Sequence, residues 1–106
     1  MNEIASTIIE QLGGSRALSL MLGLKHVLAS DKGVDIRFAC KNERRINHVR
    51  VMLTPRDTYD MTFYRIAKGG LVCDEVSANE DVCADSLIEV FERTTGLYLR
   101  LPGGRR

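Results

Sequence analysis

INHVRVMLTPRDTYDMTFYRI, residues 46–66, holds the cleanest alternation of apolar and polar residues in the chain, and it predicts two antiparallel strands around a turn at 54–57. Val49, Val51 and Leu53 share one side of the first strand, with His48, Arg50 and Met52 on the other. Tyr59, Met61 and Phe63 share one side of the second, opposed by Asp60, Thr62 and Tyr64. Directly paired residues lie on the same face, so register decides whether the two apolar sets coincide. A two-residue turn at Pro55-Arg56 pairs Leu53 with Thr58 and Val51 with Asp60, which mixes core with polar positions. A three-residue loop, Pro55-Arg56-Asp57, pairs Leu53 with Tyr59, Val51 with Met61 and Val49 with Phe63. Its chemistry agrees, because Pro suits the first central position of a type I turn and Asp tolerates the left-handed position that closes such a loop. The opposite face then sets His48 across from Tyr64 and Arg50 across from Thr62.

Upstream, Ile4, Ala5, Ile8, Ile9 and Leu12 recur at helical spacing and predict an amphipathic helix over 2–12, with Asn2 as a cap and Gly13-Gly14 as its end. Ser15 is placed to cap a short second helix over 16–22, stopped by Gly23. Residues 24–29 are apolar but brief, readable as a strand or as the end of a bent helix. Residues 34–38 alternate strictly and predict a strand. Residues 40–45 read as a polar, basic loop. Downstream, residues 71–77 suggest a returning strand that Asp74-Glu75 interrupts. Ala84, Leu87, Ile88 and Phe91 define one apolar face of a helix over 82–95. Asn79 or Asp81 is a cap for it, Glu89 can pair with Arg93, and Gly96 closes it in a Schellman-type ending with Leu97 folded onto Phe91. Tyr98, Leu99 and Leu101 form an apolar tail.

The expected fold class is α+β: an N-terminal helix, a short second helix, a three- to four-stranded antiparallel meander, and a C-terminal helix packed on one sheet face. At 106 residues the chain reads as one domain over 1–101 followed by a flexible tail over 102–106. Helices on one side leave the other sheet face at least partly open.

Fifteen Lys and Arg against 14 Asp and Glu give a net charge of +1, which argues against strong nonspecific attraction to nucleic acid. No apolar run is long enough to span a membrane. The first residues lack the basic start and apolar stretch of an export signal, so the expected location is the cytoplasm. Cys40, Cys73 and Cys83 are odd in number and lack close pairing, and read as reduced thiols.

Gln11-Leu12-Gly13-Gly14, Ile46-Asn47-His48-Val49, Leu53-Thr54-Pro55, Asp57 to Met61 with Phe63, Ala84-Asp85, Phe91 and Thr95 to Tyr98 together resemble a group of short, uncharacterised proteins of phage and prophage genomes. The resemblance spans most of the chain, brings no known activity or catalytic residues, and implies an accessory protein acting inside a bacterial cell.

Each candidate chemistry has a plainer reading. His26, His48 and the three cysteines show neither C-x-x-C nor H-x-x-x-H spacing, so no metal and no cofactor are expected. A Cys73–His48 nucleophile pair would need contact and an orienting third group, which the sequence does not supply. Gly13-Gly14-Ser15 lacks the phosphate-loop pattern and reads as a helix-to-helix turn. Asp85, Glu89 and Glu92 read as a solvated helix face. No catalytic set is expected.

Charge distribution is more informative. Lys41, Arg44, Arg45, Arg50, Arg56, Arg65 and Lys68 make the middle basic, while Asp74, Glu75, Glu80, Asp81, Asp85, Glu89 and Glu92 make the next part acidic. The two regions could meet within one molecule or between two. Met52, Tyr64 and Ile66 accompany His48 and Thr62 on the outer hairpin face, which a second chain or the apolar tail could cover. The candidate binding face is therefore Lys41, Arg44, Arg45, His48, Arg50, Thr62 and Tyr64. The reading is a small non-enzymatic accessory protein that binds a partner protein or itself. The alternative is a nucleic-acid-binding module using the 41–50 loop and hairpin. It expects salt-sensitive DNA or RNA binding weakened by Arg44→Ala, Arg45→Ala and Arg50→Ala, and no gel shift at low salt would exclude it.

Overall fold

The structure, a computed structural model, describes residues 3–39 and 41–99. The predicted hairpin forms in the predicted register. Strand β3 (His48–Leu53) pairs with β4 (Tyr59–Ala67) through Val49–Phe63, Val51–Met61 and Leu53–Tyr59. The Thr54 N–H donates to Thr58 O at 2.8 Å, so three residues are left in the loop. Asp57 stands at φ 63°, the left-handed position expected of it, and its N–H donates to Thr54 O.

The hairpin is the middle of a five-stranded antiparallel meander in the order β1-β2-β3-β4-β5. One strand goes beyond the expected four. The brief apolar run is β1 (Leu24–Ala29), paired with β2 (Gly33–Phe38). A bulge between Leu24 and His26 shifts its register, which breaks the alternation that identifies a strand in sequence. The interrupted run is β5 (Val72–Val82), an edge strand with two register shifts against β4. Its carboxylates are tolerated because an edge faces solvent.

Helices α1 (Glu3–Gln11), α2 (Ser15–Leu22) and α3 (Leu87–Thr95) share one core with the inner sheet face. The helix expected over 82–95 starts later. Val82 is still in β5 opposite Tyr59, and Ala84–Ser86 form a 3-10 turn. Asn79 and Asp81 are therefore strand residues and cap nothing. Asp81 adopts φ 56° at a bulge and donates its N–H to the Asp60 carboxylate. Ser15 is likewise the first residue of α2 rather than its cap, and Gly14 takes that position. Asn2, Cys40, Leu101 and the tail over 102–106 lie outside the described residues.

The core centres on Phe91, whose ring meets Phe38 at 5.7 Å and Phe63 at 5.8 Å in tilted contacts. Gly96 ends α3 at φ 78° and donates its N–H to Glu92 O. The ending differs from a Schellman motif: the Leu97 N–H goes to Thr95 Oγ1, and that hydroxyl donates to Phe91 O at 2.8 Å. Leu99 then returns into the core at 1% exposure, its N–H held by the Glu92 carboxylate. The described part of the tail thus joins the helical layer and leaves the outer sheet face uncovered.

Gly33 marks where two strands close tightly. It is buried, and a Cβ there would strike Val51 O and Met52 Sδ. Gly33→Ala is expected to lower unfolding free energy by about 1–3 kcal/mol, the usual cost of overpacking, as read from the urea midpoint.

Candidate functional site on the open sheet face

The pairing of five strands aligns outward residues into rows. One row runs His26, Arg37, His48, Tyr64, Glu75, and the next runs Leu28, Asp35, Arg50, Thr62, Ala78. Beyond the first row, Ile66 pairs with Cys73. These rows form the face that no described helix covers.

At its centre is an assembled polar group. Asp35 Oδ1 accepts from His48 Nε2 at 2.8 Å and from Arg50 Nε at 2.9 Å. The Asp35 and His48 side chains are 15% and 17% exposed, so water competes weakly for this contact. An ionised carboxylate only accepts, which places the proton of the neutral imidazole on Nε2. Nδ1 is then a buried acceptor without a partner among the described residues. Neither ring nitrogen is offered to a ligand in this arrangement. Arg50 has its pKa raised by the hydrogen bond to Asp35 and by that carboxylate's charge, so it stays protonated throughout the working pH range. Its guanidinium also lies 5.8 Å from the centroid of Tyr64, and the His48 ring meets Tyr64 edge-on at 5.6 Å. Arg50 is half exposed, so screening holds its ion pair to about 1 kcal/mol.

Around this group is an open hollow of about 520 Å³. Leu28, Tyr64, Ile66 and Cys73 contribute apolar surface, and His26, Arg37 and Arg50 contribute polar groups. Leu28 is 69% exposed, a large apolar side chain left in water at the rim.

Of the residues expected at a binding face, His48, Arg50, Thr62 and Tyr64 come together here. Lys41, Arg44 and Arg45 do not. Lys41 and Arg45 line a separate depression with Asn42 and Asn47, and it shares no residue with the first. Arg44 is exposed and offers its carbonyl to the Arg65 guanidinium. Arg65 also pairs with Asp74, and Arg56 with Asp81, so basic and acidic regions meet within one molecule at these two points.

Asp35, Arg37, His26 and Leu28 were not anticipated. The strict alternation over 34–38 already turns Asp35 and Arg37 away from the apolar side. The missing information was the pairing of β2 with β3 across a nine-residue connection with no hairpin signature. Cys73 and His48 border the same hollow, yet no hydrogen bond joins them, and Nε2 is committed to Asp35. Among the described residues no three His, Cys, Asp or Glu side chains are grouped to hold a metal ion, and no helix is long and apolar enough to cross a membrane.

Comparison with known proteins adds no assignment: no family model, curated protein or solved structure matches the chain.

Asp35→Ala is expected to cost about 1–3 kcal/mol of stability, because it strands two donors that the carboxylate now satisfies. Long-range 1H–15N spectra should show the Nε2-protonated tautomer of His48 in the native protein and a mixture of tautomers in the variant.

Proposed function

We propose that this chain is a non-enzymatic binding protein, of the phage- or prophage-borne accessory kind its sequence resembles, and that the open sheet face docks a partner protein. The observation that carries this reading is the face itself. Three helices cover one side of the sheet, while the other holds exposed Leu28 beside a largely buried Asp35–His48 pair and the half-exposed Arg50 bound to it. Exposed apolar surface around an ordered polar centre is the anatomy of a recognition surface. The commitment of His48 Nε2 to Asp35, with Nδ1 buried, supports binding over proton-transfer chemistry at that residue.

The nucleic-acid reading has less support. Arg56 and Arg65 are held by Asp81 and Asp74, and Arg37 and Arg50 stand with Asp35 and Glu75 on the same face. The Tyr64 ring that would stack on a base is already contacted by Arg50 and His48.

Light scattering after size exclusion, with capture from bacterial lysate, tests the proposal. The wild-type chain should retain a partner that Leu28→Ser and Thr62→Arg each weaken by roughly tenfold, the effect of a disrupted interface centre. Leu20→Glu, on the exposed side of α2, should bind as wild type. A strict monomer that captures nothing, or face variants indistinguishable from wild type, would overturn it.

A further inference from the structure

The hollow has a specific electrostatic imbalance. Arg37 is half-buried in the middle of a row, between His26 and His48, and its side chain makes no hydrogen bond or ion pair among the described residues. Arg56, Arg65 and Arg93 each have a carboxylate partner, and Arg16, Arg44 and Arg45 are exposed to water. Arg37 alone among the described arginines is partly withdrawn from solvent with nothing opposite it. Arg50 is engaged only in part: Nε is bound to Asp35, and its two terminal nitrogens are unbound among the described residues. Asp35 spends its charge on Arg50 and His48. Among the charged residues that line the hollow, Arg37, Arg50 and Asp35, the sum is one positive charge beside apolar walls.

Arg37 and Arg50 line the same hollow. Arg37 pairs with His48 and Asp35 with Arg50, so Arg37 and Arg50 are diagonal neighbours on adjacent strands. Such positions are about 7–8 Å apart at the backbone, and long side chains on one face can converge across that distance. Guanidinium groups match the planar fork of a carboxylate. Leu28 and Ile66 lie beside them and suit an aliphatic neighbour.

We infer that the hollow seats an acidic side chain flanked by an aliphatic one, from a segment of a partner protein, with Arg37 and Arg50 holding the carboxylate. This rests on the reading of the sheet face as a protein-docking surface and names the chemistry it selects. Asp35 sets the position of Arg50, and so acts on the ligand through it. A phosphate-rich polymer fits less well, because Asp35, Asp60 and Glu75 share the same outer face.

The probe is 4-methylpentanoate, a carboxylate on an aliphatic stem, titrated at constant ionic strength into 15N- and methyl-labelled full chain. Saturable shifts at the Arg37 and Arg50 side chains and the Leu28 methyls are expected. Arg37→Gln should weaken binding by about tenfold, the size of one charge-assisted hydrogen bond, while Arg37→Lys retains part of it. Dispersed spectra of both variants exclude unfolding. No saturable shift, an equal response to neutral 4-methylpentanamide, or an equal response to inorganic phosphate would each overturn the carboxylate site. Self-association abolished by Arg37→Gln would make the occupant a second copy and overturn the partner assignment. If the probe is silent while Leu28→Ser and Thr62→Arg still lose a captured partner, this inference fails and the docking surface stands. If those variants bind as wild type, the docking surface itself fails.

Discussion

One constraint organises the molecule: the three-residue closure of the β3–β4 hairpin. Side chains alternate with a period of two, so a one-residue slip would exchange the two faces of β4 relative to β3. The closure at Thr54 and Thr58 brings Val49, Val51, Met61 and Phe63 to one side. The same step brings His48, Arg50, Thr62 and Tyr64 to the other. Core and candidate site are therefore two outcomes of a single register. β2 adds Val34, Ile36 and Phe38 beneath the helices and Asp35 and Arg37 above.

The helical layer explains why the second face is free to carry polar groups. α1, α2 and α3 each direct one apolar stripe at the sheet, and the returning Leu99 fills the same layer. Hydrophobic burial is thus satisfied on one side of the sheet. The other side holds a carboxylate shared by an imidazole and a guanidinium, an arrangement that contributes modestly to stability and sets both side chains against Asp35. A surface ordered in this way loses less entropy on meeting a partner than one of free side chains.

Legibility in the sequence followed locality. The hairpin, β2, α1 and the end of α3 at Gly96 were readable because each is specified by residues close in the chain. β1 was obscured by the bulge at Lys25, and β5 by carboxylates whose tolerance depends on its edge position. The start of α3 was misplaced because Val82 serves an apolar position equally well in a helix or a strand, and pairing with Tyr59 decides for the strand. In the connection between β2 and β3, the Asn47 side chain exchanges two hydrogen bonds with the Ile66 backbone, and Asn42 does so with Ile46. These two amides act as backbone surrogates that hold the loop, a role that composition alone does not reveal.

By itself the sequence determined the α+β class, the hairpin register and which residues of β3 and β4 face outward, because periodicity and turn chemistry are local properties. It also determined that His48, Arg50, Thr62 and Tyr64 share a face. Only the tertiary structure decided that Asp35 lies beside His48 and Arg50, that the Arg37 side chain is unpaired among the described residues, and that Lys41, Arg44 and Arg45 lie apart from this hollow. Those relations depend on the pairing of β2 with β3 across a connection whose path is set by long-range hydrogen bonds to β4. Local sequence carries no information about such a path until the sheet has formed.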